Sequence, residues 1–171
     1  EVPEELVEKF SKYLVKDISE RLLKSNRKRE PALRMSSIGR PCERQLWYSI
    51  NNPEKEEPLR PENHLKFIYG SIVEELMLFL AELAGHEVKG RQEEQEIEGI
   101  KGHRDAIIDG VLVDVKSASS YSFKKFKEGK LSEDDPFGYI PQLLSYLEAS
   151  QEDRVLEEKD RAAFLVVDKT L

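Results

Sequence analysis

The sequence predicts an α/β (α+β) fold: a small mixed β-sheet flanked by helices, with an amino-terminal helical segment. Three observations lead there. Helical periodicity dominates the first half of the chain. Strand-like alternation broken by turn residues follows, and a helix and one apolar strand come last. A length of 171 residues suits a single domain. With 39 % apolar and 36 % charged residues, the chain can bury a core beneath a very polar surface.

Residues 4–24 place Leu6, Phe10, Tyr13, Leu14, Ile18 and Leu22 at helical spacing. A basic connection leads to Ser36 and Ser37, and Pro41 opens a short helix through Cys42 to Ile50. Three prolines (Pro53, Pro58, Pro61) mark 51–63 as loop. An apolar helix covers 65–84 and stops near Gly85. Its buried stripe is expected to be Leu65, Ile68, Ile72, Leu76, Phe79 and Leu83, with Glu75 on a solvated border and Glu74 on a second apolar face. Strands are expected at 91–98, 103–108 and 111–116, the last two joined by Asp109-Gly110, a favoured hairpin turn. A lysine-rich loop or helix runs to about 136, then a helix over 141–149 and a strand over 162–168. Residues 1–50 thus form a helical segment packed on the core, 51–63 a loop and 64–171 the core, one domain overall.

Composition excludes several classes. The longest apolar run, 76–81, is far short of a membrane span. A single cysteine, Cys42, leaves no internal disulfide framework and no multi-thiolate zinc site, and it is expected to be a small buried hydrophobe. No signal peptide is visible, although with Glu1 in place of an initiating Met a removed leader stays open. The net charge of −7 is unevenly spread: residues 20–44 carry +5 and residues 116–130 carry +4, leaving −16 for the remainder. Two basic segments in an acidic body suit a phosphate-binding stripe if they meet, and suit solvated faces if they do not.

The hairpin holds the chemistry. If Asp109-Gly110 closes a two-residue turn, Ile108 faces Val111, Asp105 faces Asp114 and His103 faces Lys116. Alternation then puts His103, Asp105, Ile107, Leu112, Asp114 and Lys116 on one face, and Ala106, Ile108, Val111, Val113 and Val115 on the core face. Opposed carboxylates repel unless something positive lies between them. A hard divalent cation, Mg²⁺ or Mn²⁺, fits that need. Aspartate and lysine are also ordinary on a solvent-facing sheet.

Gly102-His103-Arg104-Asp105 followed by Asp114-Val115-Lys116 resembles the motif pair of the PD-(D/E)xK nuclease superfamily. The likeness is to its branch of RecB nuclease domains, CRISPR-associated adaptation exonucleases, and phage and mitochondrial genome-maintenance exonucleases. Gln142-Leu143-Leu144-Ser145-Tyr146 is similar to that branch's Gln-x-x-x-Tyr helix motif, and Gly70-Ser71-Ile72-Val73-Glu74 to its Gly-x-x-x-(His/Glu) element. The stretch from Ser36 to Arg44 is similar to its amino-terminal element.

The resemblance implies a restriction-endonuclease-like core over 64–171 and an Mg²⁺- or Mn²⁺-dependent deoxyribonuclease of DNA repair or recombination. It assigns metal binding to Glu74, Asp105, Asp114 and the Val115 backbone carbonyl, and a catalytic role to Lys116. Gln142, Tyr146, His103, Arg40, Arg44 and Ser37 become the substrate contacts. Trp47 and Tyr48 either stack on bases or, for Trp47, fill the core. Cluster-bearing relatives carry three further cysteines that this chain lacks, so no iron–sulfur cluster is expected. Against the family pattern the sequence stops just after its last strand, and whether a carboxy-terminal element is missing stays open. The expected activity is exonucleolytic, on single-stranded DNA ends. A partner subunit of the same fold without turnover and a structure-selective endonuclease are the alternatives. The expected location is cytoplasmic or virus-encoded intracellular, with an organelle left open. Protein partners stay unspecified.

Overall fold

The computed structural model describes residues 2–24, 31–55 and 60–170. In chain order the elements are α1 (Glu4–Lys24), α2 (Glu43–Asn51), α3 (Pro61–Leu83), β1 (Val88–Lys89), β2 (Glu94–Ile97), β3 (Ile100–His103), β4 (Ala106–Ile108), β5 (Val111–Ala118), α4 (Ser120–Lys127), α5 (Tyr139–Ala149) and β6 (Ala162–Asp168). The fold is therefore mixed α/β, with helices beside a small mixed sheet. Chain contacts divide it into two units, residues 1–30 with 57–88 and residues 31–56 with 89–171, so α1 and α2 belong to different units. Among the described residues, no helix is long and apolar enough to cross a membrane.

The first unit pairs α1 with α3. Phe10 meets Phe79 with ring centroids 4.9 Å apart, and Lys9 forms an ion pair with Glu82. The α1 stripe follows the expected spacing, except that Leu22 is exposed. The phase of α3 does not. Its buried residues are Ser71, Glu75 and Leu78, whereas Leu65, Ile72, Leu76 and Leu83 are exposed. Ile68, Ser71, Glu75, Leu78 and Glu82 recur at helical intervals, so the buried face is a neighbouring one. Apolar residues surround almost the whole circumference of this helix, and periodicity alone cannot choose a face on such a helix. The surface role expected for Glu75 is thus corrected: it is buried, while Glu74 is half-buried.

The second unit is built on β4, β5 and β6, which with the short β1 form a sheet of order β1-β4-β5-β6. β4 and β5 are antiparallel in the predicted register, Ile108 opposite Val111 and Ala106 opposite Val113. The turn residues Asp109 and Gly110 both have positive φ, 48° and 76°, as a primed hairpin turn requires. β6 runs parallel to β5, with Asp114 beside Phe164 and Lys116 beside Val166. A parallel pair needs a crossover, and α4 and α5 supply it. The core cluster joins Met35, Ile107, Leu112, Leu143, Tyr146, Leu147 and Leu156.

This cluster corrects the face assignment. Ile107 and Leu112, expected beside the chemistry on an open face, are its centre, and Ala106, Val113 and Val115 are buried as well. Both faces of the hairpin are covered, so alternation of polarity misjudged the first one. The expected strand over 103–108 also breaks in two. Arg104 and Asp105 lie outside strands, and β3 pairs with β2 as a separate hairpin that sets His103 opposite Glu94 rather than Lys116.

Candidate active site

The two aspartates meet where the β4–β5 ladder ends. Continued two residues past Ala106 and Val113, the register would have the Val115 N–H bond the backbone near Arg104. The chain instead turns towards residues 92–93: the Gln92 N–H donates to the Asp105 carbonyl and the Arg104 N–H to the Glu93 carbonyl. Val115 then donates its N–H to the Asp105 carboxylate, Oδ2, at 2.7 Å. The side chain of Asp105 replaces a missing backbone acceptor, and this fixes it against β5.

Arg104 anchors the turn. Its side chain is almost wholly buried and donates to Asp153 at 2.5 Å, to the Ser150 hydroxyl and the Gly90 carbonyl at 3.2 Å, and to Glu93. Burial opposes ionisation of Asp153, but the Val155 N–H and Arg104 outweigh it and hold that carboxyl below the usual range. A buried guanidinium with so many acceptors is a positioning group for its neighbour Asp105. The sequence offered no signal for it beyond its place between His103 and Asp105.

Asp114 is buried at 3 % exposure. Lys116 Nζ lies 2.6 Å from its Oδ2 and forms an ion pair with it. Burial pushes the Asp114 carboxyl up, with Lys116 opposing the rise. Burial pulls the Lys116 ammonium down, but Asp114 and Asp105 more than offset that, so its pKa is raised and it stays charged at neutral pH. Tyr139 covers the ammonium, whose Nζ sits 5.0 Å from the ring centroid.

α5 brings the Gln-x-x-x-Tyr pair to the same place. Asp135 accepts the N–H groups of Tyr139 and Ile140 at 2.9 and 2.8 Å, starting the helix two residues before Pro141. Tyr146 is buried, which raises its phenol pKa; the Gln142 side chain hydrogen-bonds it, and Asp105, Asp114 and Lys116 are close enough to act on it electrostatically. Gly102 makes room for this ring, since a Cβ there would sit 2.7 Å from Tyr146 Cε1 and 2.8 Å from Met35 Cβ.

Asp105, Asp114, Lys116, Tyr146 and Gln142 therefore converge in the second unit. Glu74 stands on α3, in the first unit. His103 is exposed on the β2–β3 hairpin opposite Glu94. The Ser37 hydroxyl is engaged in its own turn, donating to the Arg34 carbonyl at 2.9 Å. Arg40 and Arg44 are exposed, with Arg44 5.6 Å from the centroid of the Tyr48 ring. Trp47 is 55 % exposed and packs edge-on against Tyr48, so it is not core; Cys42, just before α2, is exposed rather than buried. Of the first basic segment, Arg27, Lys28 and Arg29 lie outside the described residues. In the second, Lys124 and Lys130 pair with Glu128, and Lys125 with Asp134.

Among the described residues, no three His, Cys, Asp or Glu side chains gather as a metal-binding group. Mg²⁺ keeps several waters and needs only one or two carboxylates with substrate phosphate. The buried Asp114 carboxylate, with Asp105 fixed beside it against β5, fits such an ion. No family model, curated protein or solved structure matches the chain.

Proposed function

We propose that the chain is a metal-dependent DNA nuclease that hydrolyses phosphodiester bonds, acting as an exonuclease on single-stranded ends. One observation carries this reading. Buried Asp114 is held against the charged Lys116 at 2.6 Å with a second aspartate, Asp105, fixed beside them, a concentration of buried charge that packing alone does not need.

In this reading Asp105, Asp114 and the Val115 carbonyl hold Mg²⁺ or Mn²⁺. The ion, when bound, polarises the scissile phosphate and lowers the pKa of a coordinated water. Because Lys116 remains an ammonium at neutral pH, it orients the attacking water and offsets phosphate charge rather than removing a proton. Tyr146 stays a neutral phenol, a hydrogen-bond donor oriented by Gln142. Arg40, Arg44, Trp47 and Tyr48 offer cations and rings for the strand.

Digestion of end-labelled linear and closed circular single-stranded DNA with Mg²⁺, Mn²⁺ or EDTA tests the reading. Release of short products from linear DNA only, abolished by EDTA and by Asp114→Asn, is the expected result. Cleavage in EDTA, or by the Asp114→Asn variant at the wild-type rate, refutes it.

A further inference from the structure

β5 and β6 are parallel and end side by side at Ala118 and Asp168. In open α/β sheets the carboxyl ends of parallel strands border a crevice where ligands bind. Here the crevice is a cavity of about 190 Å³ whose walls include Lys116, Ser119, Ser122, Phe137, Tyr139 and Lys169. Its two cations differ. Lys116 is balanced by Asp114 and Asp105, whereas Lys169 has no carboxylate partner among the described residues. The hydroxyls of Ser119 and Ser122 are 3.3 Å apart, and the Ser122 N–H reaches Ser119 Oγ only at 3.4 Å. Such long bonds are readily exchanged for an anionic acceptor. Phe137 is 60 % exposed and stacks on Tyr139 at 5.4 Å, presenting an open aromatic face.

We propose that this cavity binds one terminal nucleotide of the DNA, its phosphate on Lys169 and the two serine hydroxyls and its base on Phe137. An unbalanced cation with hydroxyl donors selects phosphate, and an exposed ring selects a flat base, so neither feature alone would name a nucleotide. At about 190 Å³ the cavity is smaller than the usual small-molecule pocket, so it admits a phosphate and sugar and leaves the base outside against Phe137. The choice of a DNA nucleotide over other phosphate esters rests on the nuclease reading above. The pocket then seats the end of the strand beside Lys116, which accounts for a preference for ends.

Calorimetric titration in EDTA, where no cleavage competes, tests this with deoxyadenosine 5′-monophosphate, the 3′-monophosphate, deoxyadenosine and inorganic phosphate. One monophosphate is expected to bind at least tenfold more tightly than the nucleoside, and which of the two does so reports the polarity of the seated end. Lys169→Gln should weaken that nucleotide about tenfold. Phe137→Ala should weaken the nucleotide about fivefold but leave inorganic phosphate unchanged, as loss of base stacking alone requires. Equal affinity for nucleoside and nucleotide, or unaltered nucleotide binding by Lys169→Gln with its melting temperature retained, overturns the assignment. A chain that cuts DNA yet shows those results loses the pocket and keeps the nuclease reading. A chain that binds nucleotide as expected yet cuts nothing with Mg²⁺ or Mn²⁺ loses only the nuclease reading.

Discussion

A lysine and an aspartate buried side by side depend on each other more than on anything around them. Lys116 and Asp114 have side chains only 18 % and 4 % exposed. Removing one partner of such a pair leaves an uncompensated charge, at a cost of about 3–5 kcal/mol, while replacing both is often close to neutral. In chelator, Lys116→Met is expected to lower stability by about 3 kcal/mol, and adding Asp114→Asn should recover most of it. Urea unfolding of wild type, Lys116→Met, Asp114→Asn and the double variant checks this, and a double variant as unstable as Lys116→Met alone would mean the two do not interact. Arg104 and Asp153 form the second charged pair beneath the site. Asp153 has a folded-state pKa below its unfolded value. Its stabilisation is therefore present above the ordinary carboxylate range and is lost as pH falls through the folded-state value. Asp153→Asn should destabilise the protein at neutral pH, and the gap from wild type should close as pH falls to about 2. A gap of constant size across that range would assign the effect to shape rather than charge.

At the level of elements, two glycines with nearly the same backbone should respond very differently. Gly129 and Gly138 have φ of 69° and 70°, so alanine at either incurs the left-handed cost of about 1–2 kcal/mol. A Cβ at Gly129 meets nothing within 4 Å, but at Gly138 it would lie 2.3–2.4 Å from the backbone of Gly39. Gly129→Ala should cost only the conformational term. Gly138→Ala should cost several-fold more and shift the start of α5, which carries Gln142 and Tyr146. Thermal melts with near-ultraviolet circular dichroism would show it, and equal losses for the two variants would mean the close approach is not made. This contact also marks how far the sequence can be read. The hairpin register, α1, α5 and β6 were legible because turn chemistry and periodicity agree there. The break at Arg104 and Asp105 was not, because it comes from a side chain substituting for a backbone acceptor, which leaves no trace in polarity. The phase of α3 was illegible because a helix apolar on nearly every side carries no directional signal. Of the candidate site, motif order singled out Asp105, Asp114, Lys116, Gln142 and Tyr146, which the fold brings together, while Arg104 and Tyr139 join them through contacts that only the fold creates.

For the whole molecule, the question is how a chain of net charge −7 would hold a polyanion. Total charge matters less than which cations lack local partners. Three of the lysines on or just after α4 are already committed to Glu128 or Asp134, so phosphate gains little there. Arg40 and Arg44 are exposed and have no carboxylate partner among the described residues, and Trp47 and Tyr48 stand beside them. Each phosphate neutralised on a single strand contributes a slope of about −0.7 to the log–log dependence of affinity on salt. Binding to single-stranded DNA in chelator should therefore weaken steeply with salt despite the acidic total. Reversing the charge of Arg40 and Arg44 together should flatten the slope by about 1.4, the loss of two phosphate contacts. Reversing Lys124 and Lys130 should leave it nearly unchanged, since Glu128 already claims both. Fluorescence anisotropy across a salt series measures all three slopes. If the lysine reversals flatten the slope and the arginine reversals do not, the strand follows α4 rather than α2, and the local pairing of the lysines does not decide where phosphate binds.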